Sequence, residues 1–78
     1  MKELLEYILD SLFANPAITV TEEVEDEYIN LIINAPQDEI GRIIGKKGKV
    51  INAIKQLIKI QAIKDNKRVE IQVSEIES

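Results

Sequence analysis

The stretch IGRIIGKKGKVI, residues 40–51, holds three glycines, four basic residues and five branched aliphatic residues in twelve positions. Gly45 and Gly48 enclose two lysines, and the aliphatic residues on either side follow the three- and four-residue spacing of amphipathic helices. Glycine ends a helix readily, because it adopts positive φ without a clash of a Cβ atom. The stretch therefore predicts a short helix, a tight basic loop and a second helix.

The residues before this loop predict one helix and two strands. Apolar residues at helical spacing predict a helix over about residues 2–14, and Asn15-Pro16 ends it. Apolar and polar residues then alternate in two runs, which predict two strands joined by a charged turn near Glu25 to Glu27. Pro36 ends the second strand, because proline lacks the backbone N–H that a strand needs.

The residues around and after the loop complete the order αββααβ. Asp38 is the predicted N-cap of the short helix, and Gly45 closes it. Asp65-Asn66 turns the chain after the long helix, and alternation from Val69 to Val73 predicts a last strand before a polar tail. We expect one α+β domain over residues 1–78, with its core over about 17–74 and three helices packed on one face of a three-stranded sheet.

Charge is divided unevenly along the chain. Residues 1–39 hold one basic and ten acidic residues, net −9, whereas residues 40–78 hold nine basic and four acidic residues, net +5; together they give the net charge of −4. Such asymmetry indicates a face that binds a polyanion. The Debye length is about 8 to 10 Å at physiological salt, so a distant acidic patch weakens a basic loop little at contact distance.

Composition limits the class of protein. Hydrophobic residues make up 45% of the chain, with one Phe, two Tyr and no Trp, so we expect an aliphatic core. No apolar run approaches the roughly 20 residues that span a bilayer, and the first helix carries acids within its apolar pattern, unlike a signal peptide. The expectation is a soluble, cytoplasmic protein. Because cysteine is absent, disulfides and thiolate chemistry are excluded.

Two nucleotide-binding motifs that a loop rich in glycine and lysine suggests do not fit. A P-loop needs GxxxxGK followed by Ser or Thr, but the sixth position from Gly41 is Lys46, and Lys49 is followed by Val50. A dinucleotide fingerprint needs GxGxxG between a strand and a helix, whereas the glycines here are at 41, 45 and 48 and follow a helix.

With these two motifs excluded, the stretch consists of a helix, a GKKG loop and a second helix. This arrangement could clamp a phosphate backbone. The glycines let another chain approach, the second helix offers unpaired N–H groups at its start, and Lys46 and Lys47 add ammonium groups. Isoleucines beside the loop would form an aliphatic floor for the bases of an extended single strand, although apolar residues at helical spacing mostly pack inward. The candidate RNA-binding residues are Gly45, Lys46, Lys47, Gly48, Arg42, Lys49, Ile44, Ile51 and Ile54.

The run from Ile44 to Ile54 matches the IGxxGxxIxxI core of KH domains, and the predicted order resembles their bacterial, type II form. Over nearly the whole chain, the early helix, the Asn15-Pro16 break and Lys67-Arg68-Val69 resemble the KhpA family of small stand-alone bacterial KH proteins. In KH domains a GxxG loop clamps four nucleotides. The resemblance implies an RNA-binding regulator or RNA chaperone that forms homodimers and pairs with a larger Jag-type (KhpB) KH protein.

Other interpretations stay open beside this one. The GKKG loop could be a solvated turn, and the module could chiefly bind protein, with RNA contact secondary. The first helix carries two apolar stripes, so it could form a dimer surface, although burial in its own domain is favoured. Without a nearby aromatic residue to stack on a base, we expect weak binding of low specificity.

Catalysis and metal binding have little support in the sequence. The chain lacks His and Cys, and no base lies near its serines, so we expect no enzyme activity. The acids from Glu22 to Glu27 are interpreted as a solvated turn, and we predict neither a metal site nor a cofactor. Lys55, Lys59 and Lys64 are interpreted as surface charge, whereas Lys67 and Arg68 extend the basic face.

Overall fold

The computed structural model describes residues 1–76 and has the predicted order αββααβ. A short 3₁₀ turn over Lys46–Gly48 connects the second and third helices. The elements are α1 (Lys2–Phe13), β1 (Thr19–Glu25), β2 (Tyr28–Ala35), α2 (Gln37–Ile44), α3 (Lys49–Lys64) and β3 (Arg68–Glu75).

The strands form one sheet in the order β1-β2-β3. β1 pairs with β2 in the antiparallel direction, as a short turn allows, and β2 pairs with β3 in parallel. A parallel pair needs a crossover connection, which α2 and α3 supply. The shared register places Val20, Ile33 and Val73 side by side on one face of the sheet.

All three helices pack on the face that β2 presents with Ile29, Leu31, Ile33 and Ala35, as predicted for a type II KH fold. These four residues are buried, while on the opposite face Asn30, Ile32 and Asn34 are partly buried and Tyr28 is exposed. The core is aliphatic, as the composition predicts. Its other buried members are Leu5, Leu9, Val20, Ile43, Ile51, Ile54, Ile58 and Ile71.

Several local predictions need correction. The prediction of Asp38 as the N-cap is wrong: the cap is Pro36, with φ −62° and ψ 155°, and Asp38 lies inside the first turn of α2. Proline suits this place because its fixed φ, near −65°, is compatible with the extended conformation of an N-cap residue. β3 continues to Glu75, because Ala35 of β2 still pairs there. The predicted polar tail therefore shortens, and its last two residues lie outside the described part.

The apolar residues of α3 differ in burial. Ile51, Ile54 and Ile58 are buried, whereas Leu57 is 53% exposed and Ile63 is 68% exposed. Residues 1–76 contain no helix with the length and apolar character needed to cross a membrane.

Candidate nucleic-acid interface

The GKKG loop is a tight turn built from three residues with positive φ. Gly45 has φ 74° and ψ 177°, Lys47 has φ 58° and ψ 26°, and Gly48 has φ 75° and ψ 14°. A left-handed lysine is uncommon, since its Cβ crowds the backbone at a cost of roughly 1 to 2 kcal/mol. Strained conformations of this kind cluster at ligand-binding sites, where they preset the backbone for contact.

The backbone N–H groups of the loop divide into two kinds. The Gly45 N–H donates to the Gly41 carbonyl at 2.8 Å, and the Gly48 N–H donates to the Gly45 carbonyl at 3.2 Å. The N–H groups of Lys46 and Lys47 begin the turn, where a helix has no acceptor of its own. Within the loop, the N–H groups open to a ligand are therefore those of Lys46 and Lys47.

The ammonium groups of Lys46 and Lys47 form no ion pair within residues 1–76. Both side chains are exposed, and the ion pair found within residues 1–76 joins Arg42 to Glu39 and not either lysine. Their ammonium groups are therefore available to an anion that also meets the two open amides.

Arg42 is already engaged. Its Nη1 donates to Glu39 Oε1 at 3.0 Å and to Oε2 at 3.2 Å, and its guanidinium carbon lies 5.6 Å from the centre of the Phe13 ring. The Arg42 side chain remains 58% exposed, whereas that of Glu39 is 10% exposed. Arg42 thus links α2 to the end of α1 through the Phe13 ring. Because Glu39 already neutralises its charge, Arg42 attracts a phosphate less strongly than either lysine does.

The aliphatic residues near the loop differ in accessibility. Ile44 is 38% exposed at the end of α2. Ile51 is 8% exposed and Ile54 is 1% exposed, because α3 turns both toward the sheet. Of the three isoleucines expected to contact bases, only Ile44 is accessible, whereas Ile51 and Ile54 belong to the hydrophobic core.

Lys49 lies on a different surface from the loop lysines. It lines an apolar groove between α1 and α3, together with Ser11 and Leu12 of α1. The predicted flanking cations, Arg42 and Lys49, thus point to α1, and the loop itself carries the open positive charge.

A stripe on α3 that the sequence analysis did not include borders the candidate site. Gly48, Asn52, Lys55 and Lys59 are four, three and four residues apart, so they share one face of the helix. Lys55 and Lys59 line a cleft between α3 and β3, where Val69, Glu70 and Ile71 form the opposite wall. The spacing alone could have indicated the stripe, but only the fold shows that it borders a cleft.

These features define a class of protein: an αββααβ domain whose two central helices are joined by a tight GKKG turn beside a helix–strand cleft is a KH domain. The family model described as "KhpA/KhpB, KH domain" matches residues 2–73. The chain therefore belongs to the KhpA/KhpB family of KH domains.

Individual relatives agree with this assignment. The chain is 38% identical over 74 residues to proteins named "RNA-binding protein KhpA" from Clostridium perfringens and Clostridium acetobutylicum, covering 94% of this chain and 99% of each relative. It is 37% identical over 76 residues to the protein of the same name from Chlamydia trachomatis, covering 96% of this chain and 97% of the relative.

Proposed function

We propose that this protein binds single-stranded RNA by clamping its backbone at the GKKG loop. One observation carries the proposal: Lys46 and Lys47 combine exposed ammonium groups, which form no ion pair within residues 1–76, with two amides that have no acceptor within their turn. Together they offer two ammonium groups and two amides as donors to phosphate oxygens within one turn. The names of the relatives, which describe RNA-binding proteins, support RNA as the ligand.

The bases of the strand lie over Ile44 and along the cleft between α3 and β3. Ile44 supplies an exposed aliphatic surface directly before Gly45, and Asn52, Lys55 and Lys59 continue the polar stripe from Gly48. Backbone contacts outnumber groups that could read a base edge, so binding is weak and of low specificity. Such binding suits a post-transcriptional regulator or an RNA chaperone acting in the cytoplasm.

A charge reversal at the loop tests the clamp. Lys46→Asp/Lys47→Asp places two carboxylates where phosphates would lie, and Asp tolerates the left-handed conformation of residue 47. The matched control is Lys2→Asp/Lys64→Asp, which changes charge equally outside the loop and the cleft. Binding of a fluorescent single-stranded RNA is measured by anisotropy, and folding by circular dichroism.

The loop variant should lose RNA binding while it keeps its fold, and the control should bind nearly as the wild type does. Unchanged binding by the loop variant would contradict the clamp. Equal loss in both variants would show a general effect of net charge and would also count against a localised site.

A second function, self-association, is favoured by the apolar groove between α1 and α3. This groove of about 470 Å³ is bordered by exposed apolar side chains, among them Tyr7 (72% exposed), Leu12 (53%) and Leu57 (53%). The remaining surface of α1 carries Glu3 and Glu6, whereas α3 is rich in lysine, so a second copy could match acids to bases across a two-fold axis. We propose a homodimer through this groove, with a Jag-type (KhpB) protein as the alternative occupant.

Light scattering tests the dimer. Leu57→Glu places a charge within the groove, and Ile60→Glu is its control, since Ile60 is 55% exposed but does not line the groove. We expect Leu57→Glu to give a monomer and Ile60→Glu to keep the wild-type mass. A monomeric wild type would favour the heterodimer, which mixing with a KhpB protein would then reveal.

A further inference from the structure

The face of the sheet opposite to the helices, called here the outer face, has a small cavity near the turn that joins β1 to β2. It measures about 240 Å³ and is lined by Glu23, Val24, Glu25, Tyr28 and Asn30. Glu23 pairs in register with Asn30, and Glu25 pairs with Tyr28, so these four side chains form one cluster on the outer face. The cluster lies on the other side of the sheet from α2 and α3, which carry the GKKG loop.

Most of the acidic run from Glu22 to Glu27, interpreted from the sequence as a solvated turn, belongs to β1. Asp26 and Glu27 connect the strands, whereas Glu23 and Glu25 are two residues apart within β1 and so project from the same face. Both side chains are exposed, and neither takes part in an ion pair within residues 1–76. Their negative charge is therefore available to a ligand.

The neighbouring strand β3 adds one carboxylate and one guanidinium to the outer face. Glu70 pairs in register with Asn30, and Arg68 pairs with Tyr28. Arg68 forms no ion pair within the described part of the chain, so it does not neutralise the glutamates directly. With three carboxylates and one cation, this end of the outer face is negative, and it repels the polyanion that the GKKG loop attracts.

Tyr28 and Asn30 add features that suit an organic cation. Tyr28 is 43% exposed beside Glu25, and the face of an aromatic ring attracts cations. Asn30 Oδ1 is buried and accepts no hydrogen bond within residues 1–76. A buried acceptor without a donor is unfavourable, so a ligand that donates a hydrogen bond to it gains affinity.

An arginine side chain matches this cluster better than a metal ion or a second copy of the chain does. Guanidinium is planar, stacks on aromatic rings and presents five N–H donors that pair with carboxylates in a bidentate way. Residues 1–76 contain no group of three or more potential ligand side chains that could hold a metal ion. A second copy presenting the same face would place carboxylates against carboxylates.

We propose that the cluster on the outer face binds an arginine side chain from an extended, basic segment of another protein. The guanidinium stacks on Tyr28 and donates hydrogen bonds to the carboxylates of Glu23 and Glu25 and to Asn30 Oδ1. A further arginine of the segment meets Glu70. This interaction goes beyond RNA binding and does not depend on it, because the GKKG loop and the cluster lie on opposite sides of the sheet.

Two peptides of equal charge test the preference for arginine. One alternates Arg and Ser over ten residues, and the other alternates Lys and Ser over the same length. Each is titrated into the isotopically labelled protein and followed by NMR. The arginine peptide should shift the ring of Tyr28 and the amides of Glu23 and Glu25, leave those of Lys46 and Lys47 in place, and bind more tightly than the lysine peptide does.

Substitutions supply the matched comparisons. Glu23→Gln/Glu25→Gln should weaken binding of the arginine peptide by about 2- to 30-fold, and Tyr28→Leu by about 2- to 5-fold, whereas Tyr28→Phe should bind as the wild type does. The control Asp10→Asn/Asp38→Asn removes two exposed charges from the helices and should have little effect. Thermal unfolding of each variant shows whether the fold is preserved.

Several outcomes would overturn the proposal. Equal binding of the two peptides, or equal weakening by the control, would show a general attraction between charges. Unchanged binding by both the glutamate variant and Tyr28→Leu would exclude the cluster. If the resonances of Glu23 and Tyr28 move when the protein alone is diluted, a second copy covers the face, and if they move with single-stranded RNA, the face binds RNA. Arginine-peptide binding that persists in Lys46→Asp/Lys47→Asp would support two independent sites.

Discussion

Gly45 lies so close to Val50 that a Cβ atom on Gly45 would stand 2.8 Å from the Cβ of Val50 and 3.0 Å from its backbone nitrogen. Gly45 also has a combination of φ and ψ that is essentially restricted to glycine. Gly48 has more space, because the nearest atom to a Cβ there is Asn52 Nδ2 at 3.7 Å. The first glycine thus allows the two helices to approach, and the second allows the left-handed turn.

Substitutions at Gly45 and Gly48 should therefore lower the free energy of unfolding by different amounts. Gly45→Ala combines overpacking against Val50 with an unfavourable backbone conformation, so we expect the free energy of unfolding to fall by about 3 kcal/mol or more. Gly48→Ala should lose about 1 to 2 kcal/mol, and Gly48→Asn less, because Asn tolerates the left-handed region. Urea denaturation followed by circular dichroism measures all three. Equal losses at Gly45 and Gly48 would contradict this division of roles.

Gly41 presents the opposite case, since it lies inside α2 with open space around it. Within the described residues, a Cβ added there would meet no atom within 4 Å. Gly41→Ala should therefore stabilise the protein by about 1 kcal/mol, because alanine has the higher helix propensity and restricts the unfolded chain. The same urea titration checks this, and a destabilised variant would show a backbone constraint at Gly41 that the structure does not contain.

Glu39 and Arg42 should depend on each other for stability. Glu39 is the buried charged residue of the described chain, and Arg42 is the partner of its carboxylate. Arg42→Ala leaves that carboxylate without its cation and should cost about 1 kcal/mol, whereas the further change Glu39→Gln should recover part of the loss. A double-mutant cycle in urea, repeated at high salt, measures the coupling. Additive effects would mean that the pair contributes nothing to stability.

The sequence predicted the parts of the molecule that depend on near neighbours. The spacing of the loop glycines, the 3.6-residue period of α1 and α3 and the alternation of β2 are local patterns, and the structure confirms them. The prediction of the N-cap was wrong because Pro36 and Asp38 both suit the start of a helix. The sequence alone does not tell at which of the two residues α2 begins after β2 ends.

The parts of the site that could not be predicted depend on packing between distant elements. The burial of Ile51 and Ile54 follows from which side of α3 meets the sheet. The cleft beside Lys55 exists because β3 pairs in parallel with β2 and so lies beside α3.

Salt dependence should reveal how many phosphates the loop holds. A strand of four nucleotides has three linking phosphates, and a clamp that neutralises all of them should give a slope near −2 for the logarithm of the association constant against that of salt concentration. Affinity would then fall roughly twentyfold between 50 and 200 mM salt. Lys46→Gln/Lys47→Gln should reduce the magnitude of the slope by about 1.4, because two cations are removed, and Lys64→Gln should leave it unchanged. Anisotropy titrations at several salt concentrations measure these slopes. A wild-type slope near zero would mean that apolar contacts at Ile44, and not phosphates, hold the strand.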